Sequence, residues 1–111
     1  MGTIVKDNVE SNRYEIYVDD RLAGFEDYSL APGRITFNHT EVFPEFAGKG
    51  VAPQLATEIL EDARRRGLKV LPYCPYVAKF IAKNADKYLD LVPVENREGF
   101  GLAKGRVASD P

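Results

Sequence analysis

The chain holds one cysteine and one histidine in 111 residues. A single cysteine leaves no internal disulfide, and one cysteine with one histidine is too few for a structural zinc site. No apolar run approaches the roughly 20 residues that a membrane-spanning helix needs. Residues Met1 to Asn8 lack the apolar centre of a signal peptide, so a reducing, cytoplasmic address is expected. An excess of charge of either sign is lacking too. The net charge is −2, which leaves no broad basic field, and neither nucleic acid nor a membrane is expected as a partner. Asn38-His39-Thr40 matches a glycosylation pattern, read as chance where no secretion signal accompanies it.

What is present is the composition of one folded unit. Hydrophobic residues make up 44% and charged residues 29%, which argues against disorder, and the length suits one core rather than two. A single domain over 1–111 is expected, with its core at about 12–92, a frayed start at 1–12 and a partly ordered tail at 93–111. Arg13 to Val18 alternates as a strand, Leu22 to Leu30 reads as a second with Gly24 marking a bulge, and Arg34 to Val42 as a third. Strict alternation in the third puts Ile35, Phe37, His39 and Glu41 on one face, and Thr36, Asn38, Thr40 and Val42 on the other. Short turns make these strands an antiparallel meander.

Pro44 stops the third strand because it has no N–H to give. Ala52, Leu55, Ala56, Ile59, Leu60 and Ala63 then recur at helical spacing, and Gly67 ends the helix. Arg64-Arg65-Arg66 falls in its last turn, where cations suit the helix dipole, and is read as helix chemistry. Lys69 to Leu71 is a short buried strand, and a strand–helix–strand passage of this length favours a parallel pairing. A second helix follows Pro72-Tyr73-Cys74-Pro75, with Val77, Phe80 and Ile81 on one face and Asn84 at its end. Tyr88 to Val92 forms one more apolar element, helix or strand. The fold class is α/β with a mixed sheet: antiparallel meander, helix, parallel strand, helix.

Between the third strand and the first long helix stands Gly48-Lys49-Gly50. Glycines there let a backbone turn its amides toward a ligand, and a helix start adds unpaired N–H groups and partial positive charge, a setting that attracts phosphate. The same glycines would equally serve as a plain connecting turn. The pattern is neither a P-loop nor a three-glycine dinucleotide fingerprint.

Pro44 to Leu55 resembles the acyl-CoA-binding motif of the GNAT superfamily of N-acetyltransferases. Together with Asn38-His39-Thr40-Glu41-Val42 and Pro72-Tyr73-Cys74-Pro75-Tyr76-Val77 it is similar to a small single-domain, YjdJ-like branch, the resemblance spanning about residues 12–92. That resemblance implies a GNAT-like fold in a minimal version and acetyl-CoA as cosubstrate, with no metal. The diphosphate would lie on Ala47, Gly48, Lys49, Gly50, Val51 and Ala52, and the pantetheine arm along Glu41, Val42 and Phe43. The thioester would then lie near Cys74 and Tyr76. An amine acceptor of unidentified kind is implied as the second partner.

Two departures from the family pattern stand out. Glu45 and Ala47 occupy places where many members carry glutamine or arginine, leaving Lys49 as the loop's cation. Phe80-Ile81 replaces the region that often holds a tyrosine acid. Candidate catalytic groups are therefore His39, Glu41 and Cys74. His39 suits a proton acceptor or a core histidine bound to a carbonyl, and Glu41 an orienting group, a base through water, or a solvated strand end. Cys74, at a helix start that favours thiolate chemistry, suits an acid, a nucleophile or a packing residue. Direct acetyl transfer from acetyl-CoA to a primary amine is the expected activity. A CoA- or acyl-CoA-binding module with little turnover is the alternative. No stretch encodes the acceptor or an oligomeric state.

Overall fold

A computed structural model describes residues 2–103. Five strands lie side by side in chain order: β1 (Thr3–Asn8), β2 (Arg13–Val18), β3 (Arg21–Ala31), β4 (Arg34–Val42) and β5 (Lys69–Pro72). The first four are antiparallel neighbours, and β5 runs parallel to β4. The parallel pair requires a crossover, which α1 (Val51–Arg65) supplies. α2 (Pro75–Lys83) follows β5, then two short helices, α3 (Ala85–Tyr88) and α4 (Val94–Arg97).

The start of the chain corrects the expectation of fraying, since Thr3–Asn8 pairs along its whole length with β2. As an edge strand with no fully buried residue, it has no apolar alternation for the sequence to display. The apolar element at Tyr88 to Val92 is α3 and a 3-10 turn (Leu89–Leu91), with Tyr88, Leu91 and Val92 buried. Beyond it α4 and the turn Glu98–Phe100 are helical, and Leu102 is buried. The remainder of the expected tail lies outside the described residues.

The core is one cluster. Leu55, Ile59, Leu60 and Ala63 of α1 pack over Ile16, Ile35, Phe37 and Val70 of the sheet, and Val77 and Ile81 of α2 complete it. Each residue of the arginine triplet has an acidic partner: Arg64 pairs with Asp90, Arg65 with Asp62, and Arg66 with Asp62 and Asp7.

One irregularity decides which side chains face that core. Tyr28 pairs with Phe37 but Asp27 pairs with His39, so Asn38 is an extra residue in β4. A bulge of this kind shifts every later residue to the opposite face. The uniform alternation expected for residues 34–42 therefore breaks. Thr40 joins Phe37 on the core side, in one cross-strand row with Tyr14 and Glu26, while His39 and Glu41 face outward. A second register shift leaves Ala23 unpaired next to Gly24, in agreement with the bulge expected there. Gly24 also has to be glycine for space, because a Cβ would lie 2.4 Å from the Glu41 carbonyl oxygen.

Candidate active site

The pairing of β4 with β5 is brief. It runs from Arg34 opposite Lys69 to Phe37 opposite Pro72, and a last bond from the Cys74 N–H to the Phe37 carbonyl, at 2.8 Å, closes it. From Asn38 onward the side of β4 that faces away from β3 has lost its strand neighbour. Main-chain groups alternate along a strand, and the Phe43 N–H donates toward β3, to the Ala23 carbonyl. The N–H and C=O of Thr40 and Val42 therefore point into the gap.

Pro44–Phe46 makes a 3-10 turn at the end of β4 and leads into the glycine loop. The Arg21 guanidinium braces this turn, pairing with Glu45 and lying 5.0 Å over the Phe46 ring. Gly48 and Gly50 have φ of +76° and +78°, the left-handed region where a Cβ is strained. Gly50 is also the N-cap of α1, and it offers no side-chain oxygen to the first-turn N–H groups. Glu45, the carboxylate nearest in sequence, is engaged by Arg21. A cleft of about 400 Å³ opens here, lined by Val42, Phe46, Ala47, Gly48, Gly50, Val51, Ala52 and Pro53.

Cys74 sits at the other side of the divergence, as N-cap of α2 with Pro75 at the first helical position. It is 2% exposed, and its sulfur lies 2.9 Å from the Thr40 hydroxyl. That hydroxyl also bonds the Glu26 carboxyl from β3. Glu26 is fully buried, and its Oε2 has no hydrogen-bond partner. Burial pushes Glu26 up to about 7. The Thr40 hydroxyl, the Cys74 thiol and the His39 charge pull it down, and Asp27 adds to the rise. Tyr76, in the first turn of α2, is also raised, by burial and then by Cys74, so its phenol stays protonated at neutral pH. Its ring stacks on Phe80 at 6.3 Å.

The structure thus gathers Val42, Ala47, Gly48, Gly50, Val51 and Ala52 around one cleft. Lys49 is exposed between the two glycines. Phe43 does not line the cleft but turns edge-on to Phe25, with ring centroids 6.2 Å apart. His39 and Glu41 lie on the outer face, 57% and 44% exposed, and pair with each other at 3.0 Å. Sequence reasoning did not single out Glu26 or Thr40. A signal for Glu26 existed: it stands two residues before the buried Tyr28 in a strand, at a core position by alternation. Thr40 had none, because only the Asn38 bulge turns it inward. Among the described residues no cluster of three or more His, Cys, Asp or Glu could hold a metal ion, and no helix is long and apolar enough to cross a membrane.

The profile of the GCN5-related N-acetyl-transferase family matches residues 13–91. Among solved structures, a GCN5-like candidate N-acetyltransferase from Staphylococcus aureus is 26% identical with a TM-score of 0.59, over 81% of this chain and 87% of its own. A ribosomal-protein-alanine N-acetyltransferase from Brucella melitensis biovar Abortus 2308 is 22% identical with a TM-score of 0.48, over 73% of this chain and 61% of its own. No curated protein matches significantly. The family profile spans both strands of the divergence, the glycine loop and Cys74, and by that match the chain belongs to the GCN5-related N-acetyl-transferase family.

Proposed function

We propose that the protein transfers an acetyl group from acetyl-CoA directly to a primary amine. The observation that carries this reading is the divergence of β4 from β5 past Phe37, with a buried thiol where the strands part and a glycine loop without a side-chain cap at the far end of β4. The residues present fit the donor. Amides around Gly48 to Ala52, with Lys49 beside them, offer hydrogen-bond donors and positive charge to a diphosphate. Thr40 and Val42 offer main-chain groups to the amides of a pantetheine arm in place of the missing strand.

Acetyl-CoA supplies an activated acyl carbon, and the protein has to handle two protons. On the outer face His39, oriented by Glu41, takes the proton of the incoming amine. At the buried end Cys74 gives a proton to the departing CoA thiolate. In this position Cys74 replaces the tyrosine of the wider family, since Phe80 and Ile81 have no acidic proton. Holding both reactants in register supplies the rest of the acceleration.

Calorimetric titration with CoA, combined with thiol release from acetyl-CoA across a panel of primary amines, tests the reading. Binding with amine-dependent thiol release is expected. Binding with no amine raising release above background would overturn it. Cys74→Ala should keep CoA affinity within about twofold and lower kcat by roughly tenfold or more. An undiminished rate would leave Cys74 a packing residue.

A further inference from the structure

Polar side chains on the helix-covered side of the sheet form two kinds of cluster. Tyr14, Asp62, Arg66, Asp7 and Tyr28 are cross-bonded in a closed set, with each carboxylate facing a guanidinium or a phenol. Glu26, Thr40 and Cys74 form a chain with an open end. No cation bonds Glu26, and the one buried polar side-chain atom without a hydrogen-bond partner among the described residues is its Oε2. The thiol stabilises the carboxylate without completing a hydrogen bond to that atom. A buried acid left so is costly to the fold unless it has another use.

The chain runs from carboxyl to hydroxyl to sulfur, with 2.9 Å between Thr40 Oγ1 and Cys74 Sγ. A hydroxyl both donates and accepts, so it can pass a proton in either direction between its neighbours. We infer that Glu26, acting through the Thr40 hydroxyl, supplies the proton that Cys74 hands to the departing CoA thiolate, a role that rests on the acetyl-transfer reading. The amine nitrogen bonds the acetyl carbon as the carbon–sulfur bond breaks, and that bond's electron pair goes to the CoA sulfur. The Sγ proton moves to the CoA sulfur, the Thr40 hydroxyl proton moves to Sγ, and the Glu26 proton replaces it on Oγ1. Glu26 is left as carboxylate. Once CoA leaves, a proton from solvent, equivalent to the one shed by the acylated nitrogen, returns through Cys74 and Thr40.

The direction of flow is favourable. Glu26 titrates near 7 and an ordinary thiol near 8.5, so a proton passing from the carboxyl to a CoA thiolate runs downhill. The titratable groups around Glu26 are Asp27 on its own strand, His39 on β4, Cys74 at the β5–α2 junction and, across β2, Tyr14. The Tyr14 hydroxyl is taken up by Asp62 and Arg66 at the far end of its ring. Glu26 thus never touches the acyl donor; it is a positioning residue that keeps the Cys74 thiol charged with a proton.

Glu26→Gln and Thr40→Val are the test, each with two donors: acetyl-CoA and the S-acetyl ester of para-nitrothiophenol, whose acidic thiolate leaves without a proton. With acetyl-CoA, kcat should fall roughly 100-fold while KM stays within about twofold. With the aromatic thioester both variants should match wild type within about threefold. An equal loss with both donors, or no loss with either, overturns the inference. Because the chain has a single cysteine, the ¹³Cβ resonance of Cys74 reports on one thiol. In wild type it should shift through the Glu26 titration, and in Glu26→Gln that inflection should vanish; its persistence also counts against the relay. Wild type that releases no thiol from acetyl-CoA with any amine would instead sink the acetyl-transfer reading, leaving the resonance to decide whether Glu26 and Cys74 share a proton.

Discussion

Two carboxylates below the sheet, Asp62 and Glu26, meet opposite fates. Burial alone would raise Asp62, but hydrogen bonds from Tyr14, Arg66 and Arg65, with the Arg66 charge, hold it below the usual carboxylate range. Its network ties α1 to β1, β2 and β3. Glu26 has a threonine and a thiol in place of arginines, and burial prevails. The same side-chain chemistry is a clamp where the protein completes it and a proton reserve where it does not.

The sharpest way to break this comparison is the pH dependence of stability. Glu26 is raised in the folded state, so its contribution is complete below the unfolded value of 4.5 and is lost as pH climbs through about 7. Up to ~3 kcal/mol should disappear over that window, and Glu26→Gln should abolish the slope. Asp62 is lowered, so its contribution is present above 3.8 and is lost as pH falls through its folded value. Denaturant titrations at several pH values check both signs. At pH 7, Asp62→Asn should cost about 2 kcal/mol by leaving Arg66 and the Tyr14 hydroxyl short of an acceptor, whereas Glu26→Gln should cost nothing or stabilise. Equal losses from the two substitutions would erase the distinction.

Smaller effects probe the loop and the outer face. Gly50→Val should weaken CoA binding by roughly tenfold or more, with the far-ultraviolet spectrum of wild type. The cause is φ of +78° rather than crowding, since nothing lies within 4 Å of the position a Cβ would take. Unchanged affinity would remove the loop from the donor site. His39→Gln should lower kcat by about threefold to tenfold with acetyl-CoA affinity unaltered, and no change would free the outer face of a proton-transfer role.

Much of this architecture is legible in the sequence. β4 and α2 fall where alternation, helical spacing and Pro75 indicated, and α1 starts one residue before its first expected apolar position. Gly48-Lys49-Gly50 sits between strand and helix as the fold class required. β1 escaped because an edge strand with no fully buried residue, and only Val5 packed against the core, carries too little apolar alternation to read. The inward turn of Thr40 escaped for a different reason: a bulge belongs to a pair of strands, and a one-residue mismatch between β3 and β4 leaves no mark on β4 alone.

The sequence by itself determined the elements, their order and the glycine loop, because propensity, capping and periodicity act over a few neighbouring residues. Only the tertiary structure decided that β4 leaves β5 at Phe37, that His39 faces outward, and that Glu26, Thr40 and Cys74 meet in the core. Those outcomes depend on register between segments up to 48 positions apart, measured from Glu26 to Cys74 as 74 less 26, and no local pattern encodes such a pairing.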